Sequence, residues 1–266
     1  MASNVIGDFL RARREQVRPE DVGIAVNGRR RVKGLRREEL AVLAGISTEY
    51  YTRLEQGRDR NPSERVLDAL ARALALDGAA AAHLRELGDP RRREPRSPEL
   101  VRPSVVRLLA SWEHTPAFVQ GRYLDVLAAN RLASALSPLY TPGTNLLRAA
   151  LLDPAAEAVD ASANVRSMVA ILRSTVGADL DDPRLAELVN ELAARSEVFR
   201  RYWSQHDVVS RPATGVHVVR HPRVGRLVLR YDKFLVAGAE DQMLVVYQAE
   251  PCSRSEAALS RLSGNL

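Results

Sequence analysis

Residues 35–57 read LRREELAVLAGISTEYYTRLEQG, and this stretch decides the fold of the first third of the chain. Leu40, Leu43 and Ala44 recur at helical spacing, which predicts a helix with one apolar face. Gly45 ends it, because the left-handed conformation that closes a helix is easiest for glycine. Ile46 turns back toward the core, and the hydroxyl of Ser47 suits the N-cap of a second helix. In that helix Tyr51 and Leu54, three residues apart, face inward. Thr48, Glu49, Thr52 and Arg53 are left on the outer face. The reading is two short helices joined by a tight turn.

Working outward, Asn61-Pro62-Ser63-Glu64 announces a third helix, with Asn as cap, Pro in the first turn and Glu at the third position. Val66, Leu67, Leu70 and Leu74 form its stripe, and Ala82, Leu84 and Leu87 suggest one more short helix. Upstream, residues 4–16 carry Ile6, Phe9 and Leu10 on one helical face. Residues 17–35 hold Pro19, Gly23, Asn27-Gly28 and Gly34, so they read as a long loop or arm. Within this insert Arg29-Arg30-Arg31-Val32-Lys33 is either an arm along a phosphate backbone or minor groove, or a solvated loop. The whole is a helix-turn-helix arrangement.

The chain has 266 residues, room for one large domain or two small ones. With 45% hydrophobic and 27% charged residues it has the material for a packed core. No apolar run approaches the ~18–20 residues of a membrane helix, and Asp8 and Arg11 interrupt any export signal, so a cytoplasmic location without membrane contact is expected. A single cysteine, Cys252, excludes an internal disulfide framework and multi-cysteine zinc sites. Residues 1–98 carry 20 Lys+Arg against 15 Asp+Glu, and residues 99–266 carry 19 against 18. The basic surplus therefore sits in the first third, almost all of it arginine, the cation suited to bidentate contacts with phosphate and guanine.

Residues 89–98, DPRRREPRSP, have the composition of a semi-rigid solvated linker. They divide a helix-turn-helix domain at 1–88 from a second domain at 99–266. In the second, 116–120 and 123–129 are strand-like with Gly121 between them, as are 215–220, 226–236 and 242–249. Helical stretches are expected at 102–112, 130–137, 145–152, 160–176, 183–194, 196–206 and 256–263. The fold class that follows is an all-α N-terminal domain and an α+β C-terminal domain with an antiparallel sheet.

No catalytic constellation is visible. His83, His114, His206, His217 and His221 lack partners at metal-ligand spacing, and no G-x-S-x-G, P-loop or Rossmann fingerprint occurs. The chain is not expected to be an enzyme, and no cofactor or metal is expected. In the second domain Phe199, Trp203 and His206 recur at i, i+4 and i+7. Such a stripe either packs on the sheet or lines a ligand site in which the polar tip of Trp fixes the ligand.

Residues 34–76 resemble the Cro/C1-type (XRE) DNA-binding domain through the spacing of Glu39, Leu40, Ala41, Ala44, Gly45, Ser47, Leu54, Glu55, Gly57 and Pro62. The resemblance implies that Ser47, Thr48, Glu49, Thr52 and Arg53 meet the DNA on the recognition helix. It further implies that Arg36 and Arg37 meet the backbone and that Arg58 and Arg60 meet phosphates beyond the helix. With its insert, the chain is similar to the MmyB-like transcription regulators. Arg29 through Gly57, Val66 through Leu74, Pro116-Ala117, Asp125 through Ala128 with Asn130, Ser196 through Val208, His221 through Gly225, and the closing strand with Glu250-Pro251 carry that similarity.

That resemblance implies a PAS-like second domain holding a small apolar ligand such as a fatty acid. The candidate ligand residues are Phe118, Leu127, Met168, Leu172, Phe199, Trp203, His206, Leu229 and Tyr247. Double-stranded DNA is the expected macromolecular partner. A homodimer is expected because two-fold half-sites enlarge a small interface. The competing expectation is a DNA-bound protein whose second domain is a ligand-free dimerisation or docking module.

Overall fold

The computed structural model describes residues 4–24, 32, 34–59, 61–88, 99–153, 161–176, 182–209 and 212–264. The arm residues Arg29, Arg30 and Arg31, together with Arg60 and the 89–98 linker, lie outside them. The chain divides into two compact units. The first contains residues 1–96 and 169–210, and the second contains 97–168 and 211–266. Residues 169–210, which follow the linker in sequence, thus group with the N-terminal helices.

The first unit opens with α1 (Val5–Gln16), α2 (Arg37–Ala44), α3 (Thr48–Glu55), α4 (Glu64–Ala73) and α5 (Gly78–Gly88). A single 3-10 turn at Pro19–Val22 interrupts what the sequence suggested was loop. Ile6, Phe9 and Leu10 of α1 share one core with Leu40, Ala41, Ala44, Tyr51, Leu54, Leu67, Leu70, Leu74, Leu84 and Leu87. Leu43, expected in that stripe, is instead exposed, and Ala41 takes the inward position. Gly45 closes α2 at φ 65°, the left-handed value expected of it. Glu39 accepts from the Arg36 N–H at 2.7 Å, and Ser47 caps α3 by accepting from the Tyr50 N–H at 3.1 Å. The cap of α4 is Ser63, accepting from Val66, and not Asn61. The C-terminal half of α9 (Ala161–Val176), α10 (Pro183–Arg195) and α11 (Glu197–Trp203) complete the unit.

The second unit holds α6 (Pro103–Ala110), β1 (Ala117–Gln120), β2 (Val126–Ala129), α7 (Arg131–Leu136), α8 (Leu146–Leu152), β3 (Thr214–His221), β4 (Gly225–Val236), β5 (Ala239–Ala249) and α12 (Arg254–Ser263). The strands form one antiparallel sheet in the order β2-β1-β5-β4-β3. Alternation along the strands sends Phe118, Leu227, Leu229, Val245 and Tyr247 to a core completed by α7 and α12. Ala117, Val119 and Val246 enter a second cluster with Leu109 of α6.

Asn130 fastens this unit. It caps α7, its Oδ1 accepting from the Ala133 and Ala117 N–H groups at 2.9 and 3.2 Å. Its amide donates to the Trp112 and Thr115 carbonyls at 2.9 and 2.7 Å. All four of its hydrogen-bonding positions are therefore filled, in a residue that is only 5% exposed. No helix among the described residues is long and apolar enough to cross a membrane.

Candidate DNA interface and ligand-binding residues

The two faces of α3 differ sharply. Tyr51, Leu54 and Glu55 are buried, whereas Ser47, Thr48, Glu49 and Arg53 are exposed and Thr52 is half-buried. The outer face is thus a row of polar side chains one helical turn apart, the geometry that a major groove accepts. Thr52 donates its hydroxyl to the Thr48 carbonyl at 2.7 Å. The Arg53 guanidinium lies 5.7 Å from the centre of the Tyr50 ring, a contact that steers the side chain while leaving its donors available. Arg58, beyond the helix, is exposed, as are Arg36 and Arg37 at the start of α2.

Arg37 has a second engagement that the sequence did not suggest. It donates from Nε and from a terminal nitrogen to Oε1 of Glu55 at 3.0 and 2.7 Å. From the opposite side Arg14 of α1 grips the same carboxylate at 3.0 and 3.3 Å, and it also donates to the Leu35 carbonyl at 2.8 Å. Glu55 is fully buried. Burial alone would raise its carboxyl above the usual value, but the hydrogen bonds from Arg14 and Arg37 outweigh that and hold it lower. This ion cluster ties the end of the recognition helix to α1 and α2. Asn4 adds to it by donating to the Glu55 carbonyl at 2.8 Å. Sequence reasoning missed this role because acidic residues are usually exposed. The available signal was Glu55 itself, next to the inward Leu54 and among several arginines.

The candidate ligand residues separate into the two units. In the second, Phe118, Leu229 and Tyr247 share one core. Phe118 stacks on Tyr140 at 4.8 Å, and Tyr140 on Tyr247 at 5.5 Å. The two tyrosine hydroxyls lie 3.0 Å apart. Burial pushes the Tyr140 phenol up to about 12 and raises Tyr247 as well. His217 and Tyr231 approach the Tyr247 ring at 5.9 and 6.1 Å. Tyr140, Tyr231 and His217 were not foreseen, although Tyr231 follows Leu229 by two residues and so points to the same face. Leu127 packs instead in the cluster with Leu109 and Val119, apart from Phe118, because the alternation of β2 gives the inward place to Val126. Met168 is half-buried.

In the first unit Leu172 and Phe199 are fully buried, and Phe199 stacks on Trp203 at 5.4 Å. His206 does not continue the helical stripe: α11 ends at Trp203, and His206 follows in a left-handed conformation at φ 53°. Among the described residues no cluster of three or more His, Cys, Asp or Glu side chains is arranged to hold a metal. His221 serves the β3–β4 turn, Nδ1 accepting from the Arg223 and Val224 N–H groups while Nε2 meets the Ala135 carbonyl at 3.0 Å.

Two family models match the chain. Residues 5–84 match a helix-turn-helix domain, and residues 101–262 match the MmyB-like transcription regulator ligand binding domain. No curated protein matches the chain. The helical first unit with an exposed second helix and the antiparallel sheet of the second agree with both matches. The second match alone spans more than half of the sequence, and the chain belongs to the MmyB-like transcription regulators.

Proposed function

We propose that this regulator reads DNA through Thr48, Glu49, Thr52 and Arg53, and that a small apolar ligand, of fatty acyl type, sets its affinity. The observation that carries the reading is the division of α3 into a buried face anchored by Tyr51, Leu54 and Glu55 and a polar face turned to solvent. Arg53 has the chemistry to make a bidentate contact with guanine, and Glu49 to accept from a cytosine amine. Arg36, Arg37 and Arg58 supply phosphate contacts that fix register without reading sequence. The chain acts as a homodimer on two-fold half-sites in the cytoplasm and performs no catalysis.

The ligand acts by binding two arrangements of the recognition helices unequally, so that the difference in affinity shifts the DNA equilibrium. The aromatic wall of Phe118, Tyr140 and Tyr247 favours an apolar ligand over a charged one, since the only polar groups within it are two hydroxyls already paired with each other.

DNA binding by Arg53→Ala tests the readout. The expected loss is roughly 1–3 kcal/mol at the preferred site with little change on unrelated DNA; equal affinity and equal preference would remove Arg53 from the readout. Native mass spectrometry of protein exposed to cell lipid extract tests the ligand. An adduct of acyl mass supports the reading, and a bare mass favours the ligand-free docking module.

A further inference from the structure

A second cluster in the first unit includes two of the candidate ligand residues, Trp203 and His206, and takes no part in the function proposed above. Arg173 of α9 is only 5% exposed. Its guanidinium lies 3.9 Å from the centre of the Trp203 ring and donates to the Trp203 carbonyl at 2.6 Å. No carboxylate lies within ion-pair distance of it among the described residues. Arg13 of α1 lies 5.5 Å from the Phe9 ring, and Phe9 meets His83 of α5 edge-on at 5.3 Å. Among the described residues Arg13 has one acidic partner, Asp207, at 3.4 Å. Among the described residues the cluster thus holds two guanidinium charges against one carboxylate, Asp207, whose field also reaches Arg173, with Asp8 and Asp77 acting more weakly.

Among the described residues, four nitrogens in this cluster are buried without a hydrogen-bond partner: Nε of Arg13, Nε of Arg173, Nδ1 of His83 and Nδ1 of His206. The two arginine nitrogens can only donate. Burial, followed by the fields of Arg173 and Arg13, lowers both histidines to about 3, and burial with the field of Arg13 lowers Arg173 to about 10. A water could fill an acceptor position, but only an anion also balances the unpaired charge.

We propose that Arg13, His83, Arg173 and His206 form a buried oxyanion site, of carboxylate or phosphate chemistry, that joins α1 and α5 of the helix-turn-helix core to α9 and the turn after α11. A carboxylate is the form in which the acyl ligand proposed above would arrive, so that source rests on that reading; a free phosphate does not. An occupied site stiffens the seating of α1, which Arg14 and Asn4 connect to the end of the recognition helix.

The test is thermal denaturation of the intact chain, with ionic strength held constant, titrated in parallel with inorganic phosphate and with dodecanoate. The site predicts a saturable rise in melting temperature with one of them. It also predicts apparent affinity roughly tenfold or more weaker in Arg173→Met, the scale of one charge-assisted contact, and unchanged in Arg195→Ala, a surface arginine of α10. A response to phosphate identifies a free anion as the source, and a response to dodecanoate alone identifies an acyl headgroup. Should Arg173→Met fail to fold, Arg13→Gln carries the same comparison. No saturable rise with either probe, or a rise of equal affinity in the arginine variants, overturns the site. Dodecanoate adducts in mass spectrometry with an unaltered response in Arg173→Met would overturn the site while leaving the ligand reading intact.

Discussion

Glu55 shows how one side chain can hold a recognition helix in place. Removing its carboxylate leaves Arg14 charged and buried with no carboxylate of equal quality, so Glu55→Ala is expected to cost about 3–5 kcal/mol in a urea titration. The pair also has a pH signature. A carboxyl held below its usual value of 4.5 contributes fully above that value, and the contribution is lost as pH falls through the lower folded value. Gly7 gives an opposite kind of prediction. Alanine in a helix is ordinarily favoured over glycine by about 1 kcal/mol, but a Cβ here would meet the Glu55 carbonyl and the Asn4 side chain. Gly7→Ala is therefore expected to destabilise, by roughly 1–3 kcal/mol; a stabilised variant would mean that α1 does not approach α3 this closely. Neither residue's role was legible beforehand. Helical periodicity marks which side chains face the core, but it does not mark a buried ion pair or a backbone approach.

At the scale of elements the sequence was more informative, and the reasons are physical. The runs GVHVVR, RLVLRYDKFLV and QMLVVYQA are bounded by turn residues, and their strands fall where alternation places them. The inward pair Tyr51 and Leu54 and the outward Arg53 follow from the 3.6-residue period. Errors occurred where two residues were chemically equivalent for one job: Asn61 and Ser63 are both good caps, and Leu43 and Ala41 both fit an apolar stripe. His206 escaped because a left-handed residue ends the period on which the reading relied.

The helices α1, α5 and α9 also make a prediction together. His83 is buried, and both it and His206 stay neutral down to about pH 3, whereas an unfolded histidine takes its proton near 6.5. The unfolded state binds more protons in that window, so stability is full above pH 6.5 and falls as the solution is acidified. The slope is at most about 1.4 kcal/mol per pH unit for each histidine. Urea midpoints between pH 7 and 5, above the carboxylate range, should show this, and His83→Phe should roughly halve the slope, leaving the His206 share; an equal slope in that variant would mean that His83 is solvated.

For the whole molecule, sequence and structure agree on two families of elements, helices around a recognition motif and helices around an antiparallel sheet. They place residues 169–210 differently. Nothing in the local sequence announces that residues 169–210 group with the first unit. Leu172, Phe199, Trp203 and His206 accordingly fall in the first unit, while Phe118, Leu229 and Tyr247 belong with the sheet.

Salt dependence separates the two kinds of DNA contact: Arg58→Ala should weaken binding to all sequences alike and reduce the salt slope by about one. Sequence choice is expected of the outer face of α3. Its most direct test is selection of DNA from a random pool by the purified wild-type chain and by Arg53→Ala under identical salt. A two-fold motif in the wild-type pool, with information lost at one base pair per half-site in the variant pool, is the predicted result. Identical motifs from both proteins would contradict it.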